Sequence, residues 1–224
     1  RVEAIPGTGI DTDKFCPERS RRQEARRVMG VKEGELCLMT AALLDREKNC
    51  QTVLRALEEL GDIPCQYVLC GEGPLRPLLE REIRRRGLEG RVRLMGFRRD
   101  MDFLLQGADL FLFPSLREGL GMAALEALAC GIPVVAADNR GTREYMENGK
   151  NGFLCEGTNV YHYAQAIKKL KENPDLREKM GEAGCETAQR FALSQTELVM
   201  RQVYRDAERS VERYEWHTDQ YHHG

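Results

Sequence analysis

"DLFLFPSLREGLGMAALEALACGIPVVAAD", residues 109–138, carries the reading of the fold. Its two ends, 109–113 and 132–137, are short and almost wholly apolar, the pattern of strands covered on both faces. Between them, a helix opens near Gly121 and runs through Met, Ala and Leu. Strand, helix and strand in so short a span make a βαβ unit, whose two strands must run parallel. Two carboxylates, Glu118 and Glu126, stand at the loop and in the second turn of a helix otherwise built for burial. A purely structural segment gives no reason for them.

Outward from this unit the alternation continues. Further strands are expected at 35–41, 65–71, 91–95 and 152–155. Val53, Leu54, Leu57 and Leu60 mark an amphipathic helix, as do Leu75, Leu78, Leu79 and Ile83, which Gly87 caps. "DMDFLLQG" is a short helix with Asp100 at its N-cap. Strands alternating with helices predict an α/β, Rossmann-like, doubly wound parallel sheet. After residue 158 the pattern is purely helical, and Pro174 suits a first helical turn. One domain is expected over 1–210, followed by a polar, frayed tail at 211–224, with no internal repeat.

Composition sets bounds. The chain has 224 residues, 42% of them hydrophobic and 31% charged, with a formal net charge of −2, which selects neither nucleic acid nor an acidic membrane. Arginine clusters at 19–27, 81–87 and 91–99 read as solvated helix faces, with phosphate or anionic lipid as the other reading. They lack interleaved aromatic residues, which argues against a nucleic-acid platform. Eight cysteines without a C-x-x-C suit a reduced, cytoplasmic protein. The histidines of "DQYHHG" suggest a terminal tail and no metal site. No apolar run approaches the roughly 20 residues of a membrane span. There is no secretory signal and no initiator Met, as in a piece of a longer chain.

In such a sheet, ligands meet the carboxyl ends of strands, where helix N-termini converge. After 109–113, the glycines of "EGLG" let the backbone approach a ligand, and the N–H groups of the first helical turn favour a phosphate. A carboxylate only accepts hydrogen bonds, so Glu126 suits two neighbouring hydroxyls, as on a ribose, and Glu118 suits those of a sugar. Lys48, after the strand at 35–41, offers a point charge for a diphosphate. Gly71, in "GEGP", permits close approach after the strand at 65–71, and the backbone of Phe97 and Arg98 is a candidate for contact with a base.

These residues, in this order, resemble the C-terminal donor domain of family-4 type (group 1) glycosyltransferases, polysaccharide-assembly branch. "EGLGMAALE" fits the family's E-x7-E signature; "ALEALACGIPVVAAD", "RGTREYMENGKNGFLC", "IPGTGIDTDKF" and "GFRRDMDFLLQGADLFLFPS" extend the match over about residues 5–190. The resemblance implies one half of a GT-B fold and retaining transfer of a sugar from a nucleotide sugar, UDP-linked, in bacterial surface-polysaccharide (capsule, exopolysaccharide) or glycolipid assembly. It implies that Glu118 contacts the donor sugar, the amides of Gly119, Leu120, Gly121 and Met122 the diphosphate, Glu126 the ribose and Phe97 the base region. Lys48 neutralises the leaving diphosphate, with no metal and no cofactor beyond the co-substrate. A lipid-linked or saccharide acceptor would be held by an N-terminal domain absent from this chain, so the fragment alone is expected to bind donor and turn over little. Peripheral contact with the inner face of the membrane fits that acceptor.

The sequence departs from the family at Ala42–Leu43, where Gly and Arg usually stand. Phosphate neutralisation then rests on Lys48, helped by Arg46. A non-catalytic nucleotide-sugar-binding or scaffold module is the alternative this departure raises.

Overall fold

The computed structural model describes residues 9–219. Six strands form one parallel sheet: β1 (Leu36–Ala41), β2 (Cys65–Cys70), β3 (Val92–Gly96), β4 (Leu110–Phe113), β5 (Val134–Ala137) and β6 (Gly152–Cys155). Their order is β3-β2-β1-β4-β5-β6. The chain therefore winds from β1 outward through β2 to β3, then returns to the centre and winds the other way from β4. Between β1 and β4 the connections diverge and leave a crevice at the carboxyl edge. This switch point is where an open α/β sheet binds ligands.

Side chains alternate along each strand because the strand period is two. In β1, Leu36 and Leu38 face one core while Cys37 and Met39 face the other. The first layer is closed by α2 (Cys50–Glu59), α3 (Arg76–Arg85) and α6 (Val160–Glu172), through Leu54, Leu57, Leu79, Ile83 and Ile167. The second is closed by α1 (Arg22–Met29), α4 (Met101–Leu105) and α5 (Met122–Ala129), through Met29, Leu104, Leu105 and Leu125. With both faces covered, continuous apolar strands are the stable solution. Six of the eight cysteines are buried within these layers and all eight are free thiols. Burial pushes Cys37 and Cys50 up to about 12, so both are inert packing groups.

Two helices complete the chain, α7 (Pro174–Gln189) and α8 (Leu193–Asp219). α7 lies so close to α5 that a Cβ on Gly181 would stand 2.2 Å from the Gly131 carbonyl oxygen. Ile10 bonds Phe191 and Leu193 through its backbone, at 2.8 Å each, and so ties the start of the described chain to the α7–α8 junction.

The boundary expected at residue 210 falls within α8, which runs to Asp219, and the last five residues of the expected tail lie outside the described residues. Two expectations need correction. Asp100 sits at the N-cap of α4 but does not cap it, because its carboxylate is taken by Arg98. Part of the 19–27 arginine cluster is not a solvated face. Arg22 and Arg26 grip Asp109 at 2.6 and 3.0 Å and donate to the carbonyls of Ala108 and Gly107. Asp109 also accepts from the Cys37 N–H, so this cluster fastens α1 under the entry to β4. Arg86 is engaged by Glu58 and Glu82 in the same way.

Candidate functional site

The crevice between β1 and β4 is walled by the loops that leave them. After β1 the chain runs through Ala42–Asn49, and Asp45 Oδ1 accepts the Lys48 N–H at 2.9 Å. Asn49 adopts a left-handed conformation, with φ 50°. That turn aims its amide across the crevice, where Nδ2 donates to the carbonyls of Gly157 (2.8 Å) and Pro114 (3.3 Å). The Leu116 N–H meets the Glu47 carbonyl at 2.8 Å. Three loops are thereby bound together around Lys48.

Across from it, Pro114–Gly121 leads from β4 into α5. Gly121 is the N-cap with φ 91°, a conformation that costs glycine nothing. The ring of Phe113 and the hydroxyl of Tyr145 lie immediately beneath it, at 2.8 and 3.0 Å from where a Cβ would stand. Gly141 packs equally closely on the carbonyls of Glu118 and Gly119, at 2.7 and 2.9 Å from its own missing Cβ. Among the described residues, the N–H groups of Gly119, Leu120, Gly121, Met122 and Ala123 have no acceptor in the protein. Five unpaired donors at a helix N-terminus form a surface selective for an anion.

Two carboxylates bracket this surface. Glu118 reaches back to Lys48, with Oε1 2.5 Å from Nζ, and its side chain is only 11% exposed. Glu126 lies in the second turn of α5, half-buried, and its carboxylate makes no hydrogen bond or ion pair among the described residues. Burial raises the pKa of its carboxyl above the ordinary range, and Lys14 nearby opposes the rise. A half-buried acceptor without a protein partner is a place for hydroxyl donors.

The remaining candidates lie along the same carboxyl edge. Gly71 ends β2, and a Cβ there would stand 1.8 Å from the Ala42 carbonyl oxygen, so its first duty is to let β2 and the β1 loop touch. Phe97 follows β3 and is 71% exposed. Arg98 spends its guanidinium on Asp100, at 2.9 and 2.5 Å. Among the described residues, the backbone groups of Phe97 and Arg98 have no hydrogen-bond partner. Leu43 stands 57% exposed at the end of β1. Arg46 lines a neighbouring hollow of about 330 Å³ with Asn49 and Leu78.

Sequence reasoning did not find Asn49, Gly141 or Tyr145. Asn49 resembles a routine helix cap, and "RGTREY" shows nothing of its contact with the α5 mouth. A larger cleft, about 430 Å³, opens at the opposite edge beside Asp109, Cys130 and Pro133. Part of its charged lining is already paired, Arg22 with Asp109 and Arg19 with Glu178, and it lies at the amino ends of β4 and β5. Chemistry belongs at the carboxyl edge. Among the described residues no group of three or more His, Cys, Asp or Glu side chains is placed to hold a metal ion.

Comparison with known proteins gives a consistent picture. The family model described as "Glycosyl transferases group 1" matches residues 21–187. EpsD of Bacillus subtilis is 34% identical over 207 residues, covering 91% of this chain and 54% of that protein. The alpha-D-kanosaminyltransferase of Streptomyces kanamyceticus is 30% identical over 211 residues, covering 92% and 54%. Among solved structures, Alr3699/HepE of Anabaena in complex with UDP superposes with a TM-score of 0.83 at 26% identity, covering 88% of this chain and 56% of that one. The chain spans about half the length of the curated relatives it matches.

Proposed function

We propose, because this chain belongs to the group 1 glycosyltransferases, that it forms the donor-binding half of a retaining enzyme that uses a UDP-linked sugar. One observation carries the reading. Five unpaired amides at the mouth of α5 lie between two carboxylates and face Lys48 across the switch point. In this arrangement the diphosphate rests on the amides from Gly119 to Met122, Glu126 accepts from the ribose hydroxyls, and Glu118 accepts from the donor sugar. The exposed Phe97 and the backbone of Phe97 and Arg98 border the base, and Gly71 keeps the edge low enough for the nucleotide to lie along it.

Transfer needs the bond from the anomeric carbon to the diphosphate to break, and negative charge then grows on the departing nucleotide. Lys48 and the α5 N-terminus meet that charge with fixed dipoles and a cation, an electrostatic contribution that needs no bound metal in this reading. Lys48 and Glu118 are therefore the residues to which we assign the chemistry. A lipid-linked or saccharide acceptor in surface-polysaccharide or glycolipid assembly would be met mainly by the portion of such enzymes that this chain does not span, on the cytoplasmic side of the membrane. The complex of HepE with UDP supports the choice of nucleotide.

Calorimetry with UDP and UDP-glucose on the wild type and on Glu126→Ala tests the site. Loss of hydrogen bonds to a charged group predicts affinity about tenfold weaker in the variant. Equal affinity would remove Glu126 from the site. Leu43 favours a second reading: an exposed apolar side chain stands where the family usually places a second cation, as suits a module that binds the donor without transferring it. Absence of sugar transfer from a chain joined to an acceptor-binding half would favour that module.

A further inference from the structure

Tyr145 is 1% exposed, and its hydroxyl has no hydrogen-bond partner. It follows the 3₁₀ turn Thr142–Glu144. Its ring meets Phe191 edge-on, with centroids 6.1 Å apart, and its hydroxyl points under Gly121 at the α5 mouth. An unpaired buried hydroxyl carries a desolvation cost that a phenylalanine filling the same space would not. Burial, and then the charge of Glu118, pushes the phenol's titration upward, so the hydroxyl stays protonated and can only gain from a nearby acceptor.

Glu118 has the complementary need. Its nearly buried carboxylate depends on Lys48 alone, through Oε1, and Oε2 has no partner among the described residues. A diphosphate on the neighbouring amides competes for Lys48 Nζ. Once that cation turns to the phosphates, Glu118 is a buried charge that has lost its support, a costly state. A donor without an acceptor and an acceptor about to lose its donor share one helix mouth.

We propose that Tyr145 is a positioning residue for Glu118. When a nucleotide diphosphate draws Lys48 away, the Tyr145 hydroxyl donates to the Glu118 carboxylate, keeping it ionised and directed at the donor. The inference rests on the reading of this crevice as a UDP-sugar site.

The test is a double-mutant cycle read by UDP calorimetry on the 224-residue chain: wild type, Tyr145→Phe, Glu118→Gln and both together. Tyr145→Phe removes one oxygen from a packed core and should leave the melting temperature equal or higher. It should weaken UDP binding about tenfold in the wild-type background and less than about twofold where Glu118 is already Gln. A purely structural role would not produce that coupling. Affinity of Tyr145→Phe within about twofold of the wild type, or an equal loss in both backgrounds, overturns the assignment. A wild type that takes up no UDP defeats the functional reading itself, and this inference with it. A wild type that binds beside an unaffected Tyr145→Phe defeats the inference alone.

Discussion

Glu126, the carboxylate proposed to meet the ribose, carries a cost in the fold. Its carboxyl is half-buried, unpartnered and raised in pKa, chiefly by burial. The fold therefore favours its protonated form. The stability linked to this group is fully present below the ordinary carboxylate pKa and is lost as pH rises from there through the raised value. At neutral pH the ionised carboxylate burdens the fold. Glu126→Gln removes the charge at nearly the same volume, and we expect the melting temperature at pH 7 to rise by about 2–4 °C, as for roughly 1 kcal/mol in a chain of this size. The gain should vanish near pH 4. Thermal melts of both proteins across that pH range decide it: no gain at neutral pH, or one that persists in acid, means Glu126 is solvated or paired. Such a trade of stability for binding is common at functional sites. This carboxylate was visible in the sequence, because a charge inside "AALEALAC" has no ordinary explanation. Tyr145 was not, since an aromatic residue in a polar stretch reveals nothing of the helix end it lies beneath.

At the level of elements, two glycines divide fold from site. A Cβ on Gly181 would drive into the Gly131 backbone at 2.2 Å, where α7 meets the end of α5. Neither backbone can yield without parting the helices. Gly181→Ala should therefore cost about 1–3 kcal/mol, the usual range for overpacking, and UDP binding measured below the melting temperature should be unchanged. Gly141 lies at the other end of α5, against the Glu118 and Gly119 carbonyls, with φ −68°, an angle open to any residue. Gly141→Ala displaces the Glu118–Gly119 turn, so UDP affinity should fall about tenfold or more, with a smaller thermal effect. Urea melts and calorimetry on the pair test this, and the opposite pattern would place the anion surface elsewhere. The elements themselves were legible. All six strands fall where apolar runs predict them, because a sheet covered on both sides favours apolar residues along its strands. Legibility stopped at relations between elements. That Asn49 binds the Pro114 and Gly157 carbonyls, or that Arg22 and Arg26 converge on Asp109, depends on residues brought together from far apart in the chain. Local periodicity carries no trace of either.

For the whole molecule, the sheet order decides what the chain can do by itself. The switch point between β1 and β4 gathers every proposed donor contact on one edge: Lys48 after β1, Gly71 after β2, Phe97 and Arg98 after β3, and Glu118 through Glu126 after β4. On the proposed reading, the donor contacts come from this unit alone. Transfer is a different demand. It gains its rate from holding a second reactant in line, and effective molarities of about 10⁵–10⁸ M measure what is forfeited when that reactant is not held. The chain spans about half the length of the relatives it matches. We therefore expect UDP-glucose to raise the melting temperature of the 224-residue chain in a concentration-dependent way, following RT ln(1 + [L]/Kd). Release of UDP over hours should be no faster than in the Lys48→Ala variant. Fusion behind the N-terminal half of a relative such as EpsD should restore release that depends on Lys48. Turnover by the unfused chain that Lys48→Ala abolishes would show that this half already holds an acceptor, and the division of labour between the halves would have to be redrawn.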